Sequence, residues 1–317
     1  MTSLSFPAES APTLDLSSLT DFSRLRRYPG FSAQDLEKIL WADFQDWLNK
    51  GGKYQTLEKN GSTTALACLH PLEWDSAHFS MPMSRLQLLG SSHTSIEQYK
   101  ALTQELLDSQ DKSDGQHISV EVDIDNYNAL NALTALGFEV LDLRRTYCTN
   151  RMRHDIDFVR MINRTRYYHP NDYSQVMRLV RETDFPSRFS RDPHLQPKKV
   201  KALYEKWFHN LLANPNANAI VYERQGVILA CGAIGQVNYA YAGLAQCLRT
   251  GSLYAGNAKA VGAYTPVLFR LIMDALDSHG LVDTTVSMNN VTVCKILEGF
   301  RSYKSAAAAY SLRLFTT

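Results

Sequence analysis

Cysteine is scarce: Cys68, Cys148, Cys231, Cys247 and Cys294 are scattered through 317 residues with no C-x-x-C pair. An odd, dispersed set excludes a disulfide framework or a zinc knuckle and fits a reducing cytosol, so a cytoplasmic location is expected. An excess of one charge is missing as well, since 33 Lys and Arg nearly cancel 32 Asp and Glu. No global field then draws the chain to nucleic acid or to an anionic membrane, and neither partner is expected. No apolar run approaches the roughly 20 residues that span a bilayer. The start, MTSLSFPAESAPTLDLSS, lacks the basic and apolar regions of a signal peptide. Histidines such as His70, His78, His169, His194 and His209 follow no metal-ligand spacing, so no metal is expected.

What is present is enough apolar residue, 44% of the chain, to build real cores. The length exceeds that of a usual single core and predicts two domains, 1–155 and 156–317. After an irregular arm of about 30 residues, helical spacing predicts a helix over 33–50, with Leu36, Ile39, Leu40, Phe44 and Trp47 on one face. Strand patterns follow at 54–57 and 62–68 around an Asn60-Gly61 turn, then at 84–89, 118–122 and 139–148. Residues 74–82 read as a loop, 96–107 and 126–136 as helices. Past the basic stretch 151–166, a helix starts at Pro170-Asn171-Asp172 and 187–193 reads as a polar loop. The most amphipathic helix is 197–213, where Val200, Leu203, Tyr204, Trp207, Phe208, Leu211 and Leu212 keep helical spacing. A hairpin is expected over 219–223 and 227–237, strands at 239–248 and 252–254, and a helix over 265–278. A strand at 284–288, a helix at 291–297 and a strand at 307–315 complete the pattern. Alternating elements predict an α/β or α+β class with mixed sheets. There is also an internal echo: strand, Asn-led helix, Gly-Phe and strand recur at 118–148 and 284–315, a pattern that chance similarity of two such units also explains.

Chemistry concentrates at 252–272, a short strand, a loop of small residues and a helix. Ala255, Gly256, Ala258, Ala260, Gly262 and Ala263 let backbone amides approach a ligand. The following helix adds unpaired N–H groups and its positive dipole end, which suits a pyrophosphate. Pro266 is tolerated in a first turn, where no intrahelical bond is donated. The same spacing also fits an ordinary tight strand–helix connection.

Residues 259–268, KAVGAYTPVL, resemble the Q/R-x-x-G-x-G/A loop and aliphatic pair of the GNAT superfamily of N-acyltransferases. The resemblance implies a GNAT fold in the second domain, a partial GNAT-like first domain, and acyl-CoA as co-substrate. It puts the diphosphate against Lys259, Ala260, Val261, Gly262, Ala263, Tyr264 and Thr265, and pantetheine along a splayed strand with Tyr254 and Ala255. Its Asn-x-x-Ala-x-x-x-Tyr signature falls on Asn290, Val293 and Leu297. Two departures stand out: Tyr264 replaces a small residue, and Leu297 replaces the tyrosine that protonates the departing thiolate. Tyr254 and Tyr303 are the candidates to take over that role.

Four segments in order resemble the dTDP-fucosamine acetyltransferase type: PLEWDSAHF at 71–79, NALTALGF at 131–138, SRF at 187–189 with LYEKW at 203–207, and the loop itself. By that resemblance the chain is an enzyme acylating a 3-amino- or 4-amino-dideoxyhexose linked to dTDP, with acetyl or a hydroxyacyl such as 3-hydroxybutyryl, for O-antigen or other surface glycan. Arg188 and Arg191 suit the sugar diphosphate, because guanidinium forks match phosphate oxygens. Phe189 suits stacking, and Trp74 and Asp75 are placed at the same cleft, although Trp74 also reads as core. Asp192 is the candidate base, ahead of His194; the Asp192-Pro193 pair equally reads as a turn. Glu223 and Asp283 read as surface groups. A non-sugar amine acceptor and a non-catalytic CoA-binding pair are the alternatives. A homodimer is the base-rate expectation.

Overall fold

The computed structural model describes residue 14 and residues 16–59, 61–110, 115–150, 162–257, 260, 262–299 and 304–316. Lys259, Val261 and Tyr303 lie outside these described residues, as do Asn60 and Phe300. In chain order the first elements are α1 (Ala33–Asn49), β1 (Lys53–Lys59), β2 (Ser62–Pro71), α2 (Glu73–Phe79), β3 (Met83–Gly90) and α3 (Ile96–Asp108). Then come β4 (His117–Asp123), α4 (Tyr127–Ala135), β5 (Glu139–Thr149), β6 (Thr165–Tyr167), α5 (Tyr173–Glu182) and α6 (Arg188–Arg191). The last are α7 (Pro197–Ala213), β7 (Asn218–Arg224), β8 (Val227–Asn238), β9 (Cys247–Gly256), α8 (Tyr264–His279), β10 (Val282–Ser287), α9 (Val291–Gly299) and β11 (Lys304–Phe315).

The chain forms two compact units: Met1–Arg144 with Ala240–Leu244 and Ala307–Thr317, and Arg145–Tyr239 with Ala245–Ala306. The division expected at 155/156 gave the last strand to the second domain, whereas here β11 completes the first unit. Its Tyr310 and Leu312 lie opposite Val122 and Val120 of β4. In return the end of β5, residues 145–149, belongs to the second unit.

The first unit orders its strands β1-β2-β3-β4-β11. Period-2 alternation sends Ala65, Ala67 and Leu69 of β2 toward Leu102, Leu106, Ala129 and Leu133 of α3 and α4. Leu66 and Cys68 face the other way, against Phe44 of α1. The internal echo is real at the level of elements: β4-α4-β5 and β10-α9-β11 share one order. Each helix is capped by its asparagine, Asn126 accepting from the Ala129 amide at 3.1 Å and Asn290 from the Val293 amide at 3.3 Å.

Segment 240–244 docks on α1, where the Tyr241 hydroxyl donates to the Asp43 carboxylate at 3.0 Å. Burial pushes the Asp43 carboxyl up to about 6, against the lowering effect of that hydrogen bond. Between roughly pH 4 and 6 the folded chain therefore holds a proton that the unfolded chain has released, and stability falls as pH rises through this window. The loss approaches about 3 kcal/mol before solvent screening reduces it. Asp43→Asn is expected to abolish this drop in urea melts compared at pH 4 and 7, and an unchanged pH dependence would contradict it.

The second unit orders its strands β5-β10-β9-β8-β7-β6. Helices α5 and α7 cover one face through Val176, Val180 and Phe208 against Val221, Cys231, Ala233 and Ala255. Helix α8 covers the other through Val267, Leu271 and Ala275 against Ile220, Ala230, Ile234 and Val282. Strand β6, which the basic stretch concealed, is tied in by Arg166. That guanidinium holds Asp172 at 2.7 Å and Glu223 at 2.5 Å, so Glu223 is ion-paired rather than simply solvated. Three further expectations change. Residues 73–79 are helical, ending at Ser80 with φ 56°. A short helix, α6, sits inside the expected polar loop. The strand expected at 239–248 is instead a 3-10 turn, Tyr239–Ala242, followed by β9, which absorbs 252–254 into one strand of 10 residues.

Candidate active site

Two parallel neighbours, β9 and β10, define the site. Among the described residues their ladder has one rung, Val282 opposite Arg249. Beyond it Leu253, Tyr254, Ala255 and Gly256 pair with β8 on the other side. A local irregularity accompanies the parting. Against β8, Leu253 faces Ala233 but Thr250 faces Gly235, so β9 carries an extra residue at the bulge. Gly251 sits there with φ +68°, a left-handed conformation that only glycine adopts without cost. Gly251→Ala meets no atom within 4 Å, so its penalty is backbone strain alone. It is expected to cost about 1–2 kcal/mol in urea melts, whereas unchanged stability would show that the left-handed conformation is not required at the bulge.

The first unit provides an internal control. Its corresponding parallel pair, β3 and β4, is zipped through four rungs, from Met83–His117 to Leu86–Val120. The helix that follows β3 is closed by its own side chains: Ser95 accepts the Gln98 amide at 3.2 Å, and Gln98 accepts the Ser95 amide at 2.8 Å. In the second unit, α8 has Ala263 at its N-cap position and no side-chain cap. Its first-turn N–H groups point out of the helix end, where an anion is stabilised.

The loop into α8 is shaped by backbone bonds, Asn257 N to Leu229 O at 2.8 Å, Ala260 N to Asn257 O at 2.9 Å and Ala263 N to Ala260 O at 3.1 Å. Gly262 has φ +87°, and no described atom lies within 4 Å of where a Cβ would stand. Tyr264 does not crowd this mouth. Its ring meets Tyr254 edge-on at 5.2 Å, packed with Leu268 and Ile272. Burial, and then the neighbouring Tyr254, hold the Tyr264 hydroxyl well above its ordinary range. The Tyr254 ring in turn lies over Gly232, where an added Cβ would come within 2.5 Å of it.

The other expected site residues fall into separate groups. Ala255 is buried on the α5/α7 face, and Ala263 packs under α8 beside the partly buried Ala260. Thr265 stands in the first turn of α8. Asn290 spends its side-chain oxygen on capping α9. Leu297 is fully buried with Leu268, Phe269 and Tyr147. Asp192 is buried and accepts the His194 amide at 3.0 Å, closing the turn after α6. Arg188 lies over Phe189 at 4.8 Å, Phe189 meets Trp207 at 5.6 Å, and Arg191 is exposed. Trp74 and Asp75 belong to the first unit, on α2. Trp74 is exposed there and stacks on His78 at 5.3 Å, so it is not a core residue. Sequence reading missed Asp283, taken for a surface group but wholly buried on β10. The apolar pair Leu281-Val282 before it was the available signal. Among the described residues no three His, Cys, Asp or Glu side chains gather as a metal set, and no helix is long and apolar enough to cross a membrane.

Neither a protein-family model nor a curated protein sequence matches the chain. Solved structures do. A GCN5-related N-acetyltransferase from Sphaerobacter thermophilus superposes with TM-score 0.52 at 10% identity, over 95% of this chain and 91% of that one. The GCN5-related glucosamine N-acetyltransferase region of a fungal multi-domain GH3 β-N-acetylglucosaminidase gives TM-score 0.57 at 10% identity, over 94% of this chain and 36% of that one. The fold is therefore that of the GCN5-related N-acetyltransferases: α/β, with mixed sheets flanked by helices.

Proposed function

We propose that the protein is an acyl-CoA-dependent N-acyltransferase whose donor site lies in the second unit. The observation that carries this reading is the parting of β9 from β10 at the Gly251 bulge, continued by an uncapped helix N-terminus behind Gly262. Strand amides beside a parted neighbour suit the pantetheine amides and the thioester carbonyl, and the helix end suits the diphosphate. Ala260, Gly262, Ala263, Tyr264 and Thr265 contribute backbone here, with Lys259 and Val261 assigned by the sequence resemblance alone. Tyr254 and Ala255 line the donor strand. Asn290 is kept only as a cap that orients α9.

For the acceptor we propose a dTDP-linked amino sugar of a surface glycan, carried by the four sequence segments and by the Arg188–Phe189–Trp207 cluster with Arg191 exposed beside it. Trp74 and Asp75 remain acceptor candidates by the sequence resemblance alone. The fungal neighbour, named for glucosamine acetylation, is in keeping with a sugar acceptor. Thiol release from acetyl-CoA or 3-hydroxybutyryl-CoA across a panel of dTDP-amino sugars tests both parts. Release with other amines, and no thermal stabilisation by dTDP, would remove the sugar and keep the chemistry. Leu297, buried where the superfamily has its acid, favours a second reading, a CoA-binding protein without turnover; binding with no release across all amines would select it.

A further inference from the structure

Strand β10 is central in its sheet and buried, yet four of its six residues, Asp283, Thr284, Thr285 and Ser287, are polar. Central buried strands ordinarily read as near-continuous apolar runs, because each polar group taken from water must be compensated. The most costly of the four is Asp283, with 0% of its surface exposed. Its position is specific. Val282 makes the single described rung with Arg249 on β9, so Asp283 is the first residue of β10 beyond the point where the strands part. Val282 packs under α8, so alternation sends the Asp283 carboxylate to the opposite face. That face also carries Leu253 and Ala255 of β9, which pack with α5 and α7, and Thr285, whose hydroxyl meets that of Thr146 at 2.9 Å. Neighbouring Cys148 on β5 registers the carboxylate's field: burial, and then the charge of Asp283, push its thiol up to about 12.

Resting on the acyltransferase reading above, we propose that Asp283 is the proton acceptor and relay of the transfer step, at the closed end of the slot between β9 and β10. The neutral amine's lone pair attacks the thioester carbon, the N–C bond forms, and the nitrogen becomes cationic as the carbonyl oxygen becomes anionic. Asp283 stabilises that cation and takes one N–H proton. When the oxyanion re-forms the carbonyl and the C–S bond breaks, the thiolate receives the proton from the Asp283 carboxylic acid. Amine and thioester become amide and thiol with no other reactant, and the missing acid at Leu297 no longer needs a substitute. A buried site favours this, because charges interact more strongly where water is excluded.

The test is Asp283→Asn, nearly the same in shape. Turnover is expected to fall by about 10²-fold or more, a typical general-base contribution. The dissociation constant for acyl-CoA is expected to stay within about threefold and the melting temperature nearly unchanged. Asp283→Gly, assayed with added formate, should recover activity in proportion to formate. A variant that retains about a third or more of wild-type turnover overturns the proposal. So does a uniform loss of fold, CoA affinity and turnover in Asp283→Asn together with no formate rescue in Asp283→Gly, since that marks a structural carboxylate. A wild-type protein that binds no CoA removes the acyltransferase reading itself, whereas wild-type turnover with an equally active Asp283→Asn removes only this role.

Discussion

Gly262→Glu is expected to abolish coenzyme A binding. The residue stands at φ +87° immediately before the uncapped start of α8, with no described atom within 4 Å of the point where a Cβ would stand. Two effects follow from a glutamate there. The left-handed backbone costs about 1–2 kcal/mol for any residue with a Cβ. The carboxylate then faces phosphates, and two like charges about 4 Å apart repel by about 4 kcal/mol near a protein surface. Since each 1.4 kcal/mol is tenfold, affinity falls by about 10³-fold or more. Gly262→Ala separates the two effects, because it carries the strain without the charge and should lose about tenfold or a little more. Titration calorimetry with CoA reads both variants. Near-native affinity in the glutamate variant would mean that the phosphates bind elsewhere.

The second large effect is expected at Gly232→Val. An added Cβ comes within 2.5 Å of the Tyr254 ring and 2.9 Å of Leu271 on α8. The ring cannot swing aside freely, because Tyr264 holds its far edge. Overpacking of this kind costs about 3 kcal/mol, a fall of roughly 4–5 °C in melting temperature for a chain of this size. The displacement also passes through Tyr254 and Tyr264 to the first turn of α8, so CoA affinity should fall along with stability. A second-site Tyr254→Ala change, which vacates the ring, should restore part of the stability. If Gly232→Val melts like the wild type, the described packing of β8 against β9 is wrong.

Much of the architecture was legible because it is local. Helix α7 shows its period in seven apolar residues, and its bounds, Pro197–Ala213, coincide with those read from spacing. Asn126 and Asn290 announce helix starts through their capping chemistry. The loop before α8 was legible as a run of small residues ahead of a helix. What escaped was non-local. The bulge at Gly251 exists only relative to β8, and the parting of β9 from β10 only relative to a strand more than a helix away in sequence. For that reason 239–248 and 252–254 read as two strands, and Asp283 read as a surface residue. Tyr264 read only as a bulky residue in place of a small one, because sequence gives the residue and not the direction of its side chain; it turns inward onto Tyr254.

The loan of β11 to the first unit has a consequence for how the chain is made. The Gln116 amide reaches the Thr316 hydroxyl at 3.0 Å across 200 residues of sequence. On the ribosome, β4 emerges long before the strand that will cover its edge, and an uncovered strand edge is a template for pairing with other chains. Contacts of such high sequence separation also slow folding, since the loop must close before the rungs form. The nascent first half therefore presents an open strand edge until β11 arrives. For the same reason neither half is a self-sufficient heritable module: a gene split between them would yield two fragments, each with an unfilled place in its sheet.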